Sequence, residues 1–240
     1  MHARRGLAGC AIAAPAIAAL AAAVPLALGA TPDLSGYWQV IDAPATLRTT
    51  TGALPPLLPE ARERYGANQR ARAAGDLSFD TTVRCLPPGL PRVMLQAQPF
   101  EVIQRDTYLY MLFNYQHLDR EIIFRPEHAP LLLGRRFLGD SIAHWDGDTL
   151  VVDTTGLKTG TVLDDAGLPH SKDLHLIERY RLAKDGRELL DTIRIDDPKT
   201  FAAPWDTILR FRRLRAAQFN EDVCVDRRPD WLKDLQKAEP

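Results

Sequence analysis

The chain has 240 residues, a formal net charge of −1 and an ordinary hydrophobic fraction of 45%. That suits one domain with a sizeable core, and it lacks the basic footprint that nucleic-acid binding requires. Eighteen prolines point to short elements joined by turns.

Residues 1–30 read as a signal peptide. Arg4 and Arg5 precede an Ala-rich apolar run from Gly6 to about Leu28, and Ala27-Leu28-Gly29 offers small residues for cleavage after Gly29 or Ala30. A membrane anchor is the alternative, disfavoured by Pro15 and Pro25. The two arginines also permit a twin-arginine signal, with the general secretory route expected first. Leu7-Ala8-Gly9-Cys10 resembles a lipoprotein box without the apolar segment that should precede it. Periplasmic or secreted localisation follows. Cleavage removes Cys10 and leaves Cys85 and Cys224, an even count that reads as one disulfide in an oxidising compartment; two buried free thiols are the alternative.

The mature chain begins with a strand near 33–40, then a Pro- and Thr-rich loop at 43–57. A helix is predicted from Pro59 to about Ala74, with Pro59 in the first turn, Glu60 and Glu63 early, arginines late and Gly75 as a stop. It carries few apolar residues and is expected to lie on the surface or cap an opening. Residues 31–84 thus form an N-terminal piece packing on a core at 85–225, with a tail at 226–240 that includes a short helix at 231–237. In the core the hydrophobic period becomes two. Strands are predicted at 100–104, 108–115, 120–124, 136–145, 149–154, 174–182, 188–195 and 205–214. Asp146-Gly147 and Asp185-Gly186 mark two-residue hairpins, and Asp197-Pro198 opens another connection. The expected fold is mainly β: an antiparallel eight- or nine-stranded lipocalin-like barrel with one N-terminal helix, whose interior has room for one small ligand.

Strand parity singles out charge in apolar rows. Leu174, Leu176, Glu178, Tyr180 and Leu182 share one face, and His175, Ile177, Arg179 and Arg181 share the other. Glu178 therefore needs a partner, and Arg120, in a row with Ile122 and Phe124, is the expected one. A pair that only fixes register is the alternative. His175 faces away from Glu178, so the two do not share a metal. His170 sits in the turn Gly167-Leu168-Pro169-His170-Ser171, with Asp164 and Asp165 upstream as candidates to orient its imidazole; a solvated turn histidine is the competing reading. His117 is a second hairpin histidine, while His128 and His144 have weaker contexts. Trp145-Asp146-Gly147-Asp148 reads as a turn, and Asp153, in a row with Val151, reads as a buried acid. The chain has no G-x-S-x-G elbow, phosphate loop, dinucleotide fingerprint or H-E-x-x-H, so neither cofactor nor metal is expected.

Several motifs resemble a large family of exported bacterial proteins of unknown function. They are Asp33-Leu34-Ser35-Gly36, Cys85-Leu86-Pro87-Pro88-Gly89-Leu90-Pro91, Pro99-Phe100-Glu101, Trp145 to Thr154 and Gly167-Leu168-Pro169-His170-Ser171. Leu174-His175-x-x-Glu178-Arg179-Tyr180 and Asp196-Asp197-Pro198 belong with them. The likeness spans about residue 33 to Cys224. It implies that His170, His175, Glu178, Arg179 and both cysteines are part of a shared pattern. The chain departs from that pattern at Gly139-Asp140-Ser141, where Gly-His-Ser is usual, and at Leu157-Lys158 in place of Phe-Asn. Val162 stands in place of Trp, and 126–133 replaces a more polar loop. Loss of the aromatic side chains implies a reshaped pocket and a branch with its own substrate.

The resulting expectation is a periplasmic, cofactor-independent enzyme of lyase or isomerase type acting on a hydrophobic, aromatic small molecule. His170 would move a proton with Asp164 or Asp165 behind it, and Arg120 and Glu178 would stabilise charge. Tyr110, Phe124, His117, Asp153, Val162, His175 and Tyr180 would bind the substrate. The alternative is a non-catalytic carrier of a lipophilic ligand; a third reading is a structural envelope protein with a filled barrel.

Overall fold

The computed structural model describes residues 31–130 and 134–224, together with His2. The expected signal peptide, and the tail with its helix at 231–237, lie outside the described residues. Nine strands form in chain order: β1 (Gly36–Val40), β2 (Phe100–Gln104), β3 (Tyr108–Phe113), β4 (Asp119–Ile123), β5 (Asp140–Asp146), β6 (Thr149–Thr155), β7 (His175–Ala183), β8 (Glu188–Asp196) and β9 (Trp205–Leu214). Each pairs with its sequence neighbours, and β1 pairs with both β2 and β9, closing the barrel. This is the up-and-down order of the lipocalin type, and closure leaves no edge strand exposed. Residues 31–84 accordingly contribute a wall strand as well as the helix.

One pairing departs from the expected all-antiparallel wall. β4 and β5 run parallel and share only two register positions, Ile122 with Ser141 and Ile123 with Ile142. A parallel neighbour needs a connection that travels back along the barrel, so β4 and β5 are not joined by a hairpin. The predicted strand from 136 begins at Asp140: Arg136 forms only an isolated bridge to Leu157. At Gly139 the chain turns with φ 68°, and a Cβ there would lie 2.6 Å from the Thr155 carbonyl oxygen, so only glycine fits. The β5–β6 hairpin has a two-residue loop, one residue later than expected, at Gly147-Asp148, because Asp146 pairs with Thr149. The β7–β8 loop spans four residues, because Ala183 pairs with Glu188 and Lys184 and Asp185 both adopt positive φ.

The helix α1 (Pro59–Ala73) has Pro in its first turn and Arg70 and Arg72 in its last, opposing the macrodipole. It buries only Ala61 and Tyr65. Asn68 Nδ2 donates to the Gly167 carbonyl at 2.7 Å, and Arg72 Nη1 donates to the Asp165 carbonyl at 2.6 Å, so polar contacts anchor it to the 165–167 turn.

The inward rows are packed. Trp38, Leu109, Ile122, Leu150, Val152, Leu176, Ile193 and Phe211 are fully buried, and Phe100, Met111 and Phe113 are at most 3% exposed. Phe100 stacks edge-on against Phe211 at 5.2 Å between ring centroids. Among the described residues the barrel interior is thus filled, contrary to the expectation of room for a ligand.

Cys85 and Cys224 form a disulfide, with Cα atoms 5.6 Å apart and 139 residues of separation. Closing so long a loop stabilises by up to roughly 4–5 kcal/mol in the chain-entropy account. Replacing both cysteines by serine is expected to lower urea-unfolding stability by a sizeable part of that figure, and thiol labelling of the oxidised protein should leave Cys85 and Cys224 unmodified.

Candidate functional site

A polar network occupies the middle of the apolar interior. Arg120 on β4 donates through Nη1 to Glu178 Oε1 at 2.9 Å and through Nη2 to Glu178 Oε2, and both residues are at most 1% exposed. The same guanidinium donates to Ser141 Oγ on β5 at 3.2 Å and to Thr154 Oγ1 on β6 at 2.9 Å. Tyr180 donates its hydroxyl to Glu178 Oε1 at 2.7 Å. A bidentate Arg–carboxylate pair with its remaining valences satisfied is the arrangement that makes buried charge tolerable. Burial opposes the Arg120 charge, but the Glu178 carboxylate outweighs it and raises the guanidinium pKa further. The expected Arg120–Glu178 pair is present, and His175 lies on the opposite face from Glu178.

Asp191 on β8 joins this network and has no mention in the sequence-based site. It is fully buried, and neither carboxyl oxygen has a partner in hydrogen-bonding geometry. Burial first, and then the neighbouring Glu178 charge, push its pKa well above the usual carboxylate range; proximity to Arg120 and Tyr180 only partly offsets this. Burial and the Asp191 and Glu178 charges likewise raise the Tyr180 phenol. The row Leu189, Asp191, Ile193, Ile195 carries the same signal that marks Glu178, an acid in an apolar row.

His170 is 5% exposed rather than solvated. Its Nδ1 lies 2.8 Å from the Ser171 carbonyl oxygen and its Nε2 lies 2.6 Å from Thr161 Oγ1. A carbonyl only accepts, so Nδ1 carries a proton; Thr161 Oγ1, which also donates to the Lys158 carbonyl at 3.2 Å, is the partner of Nε2. Burial lowers the His170 pKa. Both nitrogens are thus engaged in holding the turn. Asp164 and Asp165 do not orient the imidazole as expected. Asp164, whose pKa burial raises, accepts the backbone N–H groups of Leu47 and Leu168 at 2.9 Å. Asp165 faces the other way and accepts from Arg92 Nε at 2.9 Å. Arg92 also grips Asp80 with two bonds of 2.6 Å. Burial would raise the Asp80 carboxyl, but the Arg92 bonds and charge hold it below its ordinary value. Asp197 on the opposite side accepts from Ser171 N at 2.5 Å, Ser171 Oγ at 2.7 Å and Thr200 Oγ1 at 2.7 Å.

The remaining expected binding residues disperse. Tyr110 points outward and donates to Glu121 at 2.7 Å; Leu109, Met111 and Phe113 are the inward row of β3. Val162 is buried. Phe124 lines an end pocket of about 550 Å³ with Gln104 and Trp145. Asp153 is half-exposed on the outer face instead of buried, because Leu150, Val152 and Thr154 are the inward row of β6. Asp153 Oδ1 meets His175 Nε2 at 2.8 Å and His128 Nε2 at 2.9 Å. The Asp153 hydrogen bond raises the His175 pKa; burial would raise Asp153 itself, but the two histidines outweigh it. His117 accepts the Asp222 backbone N–H at 3.1 Å.

His117 also lines a pocket of about 310 Å³ at the β4–β5 seam, where the ladder is only two pairs long. Leu118, Ile123, Phe137 and Leu138 supply apolar walls, Arg120 and Ser141 form the inner side, and Arg136 and Asp140 stand at the rim. No described group of three or more His, Cys, Asp or Glu residues is arranged to hold a metal ion.

Comparison with protein-family models and with curated proteins found no match. Among solved structures, the chain is similar to a secretary abundant heat soluble (SAHS) protein from Ramazzottius varieornatus. Identity is 11%, coverage 77% of this chain and 98% of that one, and the TM-score 0.37. It is similar also to a point mutant of the fluorescent protein UnaG, at 10% identity, 76% and 96% coverage and a TM-score of 0.33. Likeness at that level carries no functional argument, and the barrel stands on its own strand pairing.

Two outcomes follow from the buried network. Glu178→Ala leaves Arg120 charged and without its carboxylate, and should cost about 3–5 kcal/mol in denaturant unfolding. Asp191 has a folded pKa above its unfolded one, so its contribution is full below about pH 4 and is lost as pH rises. Asp191→Asn should therefore match wild type near pH 4 and exceed it in stability at pH 7.

Proposed function

We propose that this protein is an exported binding barrel that takes a small aromatic carboxylate in the seam pocket rather than in its lumen. The single observation behind this reading is the interrupted wall: β4 and β5 part after two register pairs and leave apolar walls over a polar floor. Small-molecule sites combine such apolar linings with a few placed polar groups. Arg136 supplies the charge, since its guanidinium has no ion-pair partner among the described residues. Asp140 at the rim is already occupied by Arg125 at 2.6 Å and His128 at 2.7 Å, and Glu121 by the Tyr110 hydroxyl, while Asp119 is turned to solvent. The apolar run at residues 6–28 and the Cys85–Cys224 disulfide support export, as does the resemblance to exported bacterial proteins. No helix among the described residues is long and apolar enough to cross a membrane.

The carrier reading is favoured over the lyase or isomerase reading by the state of His170. A general base needs a nitrogen that reaches substrate, and both of its nitrogens are taken within the fold. Calorimetry with benzoate, cinnamate and 2-naphthoate should show binding by the wild-type protein. Leu138→Trp, which fills the pocket, should abolish it, and Arg136→Gln should weaken it about tenfold, as loss of a charge-assisted hydrogen bond of about 1.5–3 kcal/mol implies. Binding that Leu138→Trp leaves intact would place the ligand elsewhere.

A further inference from the structure

We propose that His128 is a proton-operated clasp: as an imidazolium it ties residues 125–129 to the outer face of β5 and β6 beside the seam pocket, and on losing a proton it lets them go. The regulatory part of this proposal rests on the seam reading above; the clasp itself does not.

The geometry selects the protonated ring. His128 Nδ1 lies 2.7 Å from Asp140 Oδ2 and Nε2 lies 2.9 Å from Asp153 Oδ1. A neutral imidazole has one N–H, so its other nitrogen would present a lone pair to a carboxylate oxygen. Only the doubly protonated ring donates to both. The ring and Asp140 are three-quarters or more shielded from solvent, which strengthens these contacts relative to a surface pair.

The clasp has further parts. Arg125 Nη2 donates to both Asp140 oxygens, at 2.6 and 2.7 Å, and the Ala129 backbone N–H reaches Asp140 Oδ2 at 3.3 Å. Three donors from a five-residue stretch thus converge on one carboxylate at the first residue of β5. His128 meets Asp140 from β5 and Asp153 from β6, with Arg125 of its own stretch on Asp140; His144 and Asp146 of β5 and Arg179 of β7 line the groove beside Arg125 and Asp153. Behind Asp153 stands His175 from β7, whose register partner on β8 is Asp196. Asp153 is therefore shared by two histidines and gains from the protonation of either. The pKa of His175 is raised by that contact, and those of Asp140 and Asp153 are lowered despite burial. The carboxylate part is present above about pH 4 and lost as pH falls, because Asp140 and Asp153 are held below their ordinary range; the His175 part is present at low pH and lost as pH rises through its raised pKa.

Asp140 also stands on the rim of the seam pocket. Loss of the imidazolium leaves its charge answered by Arg125 alone, and the rim becomes more negative. An anionic ligand is then bound less tightly at alkaline pH.

The test uses the full chain with nitrogen-15-labelled histidine. Ring NMR at about pH 6 should show both His128 nitrogens protonated. The Ala129 amide should be protected from hydrogen exchange at that pH. It should lose at least about tenfold of that protection, beyond the intrinsic rate change, by about pH 8.5, a difference of roughly 1.4 kcal/mol. His128→Gln should remove the pH dependence, and Asp153→Asn, a milder change on the outer face, should shift the transition to lower pH. Affinity for 2-naphthoate should fall at least threefold over the same range in wild type and not in His128→Gln. A neutral, single-tautomer His128 at about pH 6, or equal Ala129 protection at both pH values, overturns the clasp even if 2-naphthoate binds. A responsive clasp with no 2-naphthoate binding at any pH keeps the clasp and overturns the seam site and its regulation.

Discussion

The barrel depends on one side chain at its weakest join. β4 and β5 are held by two parallel register pairs, while β7 and β8 share nine. Arg120 makes up the deficit from inside. Anchored on β4, it reaches Ser141 on β5, Thr154 on β6 and Glu178 on β7, so one guanidinium spans four consecutive strands. Its five donors in a fixed plane suit this task in a way a lysine would not. The cost is desolvation of two charges, and Glu178, Tyr180 and the hydroxyls offset it by leaving few valences empty. The seam pocket is the other side of the same arrangement: where backbone pairing is short, space remains, and Arg120 and Ser141 form its inner wall.

The turn at 167–171 shows how a motif that looks catalytic is put to structural use. Its backbone and side chains are gripped by Thr161 and Asp164 from the preceding segment, Asp197 after β8 and Asn68 on α1, three separate parts of the chain. Gly167 has φ 87° and lies so close to Asn68 that a Cβ would approach to 2.7 Å, so α1 can dock there only on glycine. Each carboxylate accepts from two or more donors and closes a loop that would otherwise bury unpaired N–H groups. The motifs around Gly167 to Ser171 and Asp196 to Pro198 are two halves of one hydrogen-bonded joint.

The outer face carries a second, looser polar system. His128, Asp140, Asp153 and His175 link the crossover stretch to three strands. Arg125, His128 and Ala129 all reach Asp140 here. Unlike the interior pair, these groups are partly solvated, so their bonds answer to pH rather than only to folding.

Much of this was legible in the residues alone. Period-two runs located eight of the nine strands and the stretch at 33–40 the first, Pro59 and Gly75 framed the helix, and two cysteines in the core announced the disulfide. Parity put Glu178 and Arg120 on inward rows, because alternation follows directly from strand geometry. The same rule applied to Leu189, Asp191, Ile193 and Ile195 would have exposed the remaining buried acid of the network. Parity states which residues share a face and not which face is inside. Tyr110 and Asp153 lie in rows where both faces are apolar enough to serve, so their outward position was decided by the closed wall. The parallel seam, the fate of His170 and the pairing of His128 were also left to tertiary structure. The seam and the His128 contacts depend on strands and loops meeting in space, and the fate of His170 on its turn folding back against Thr161; local pattern carries no information about a partner that arrives from another element.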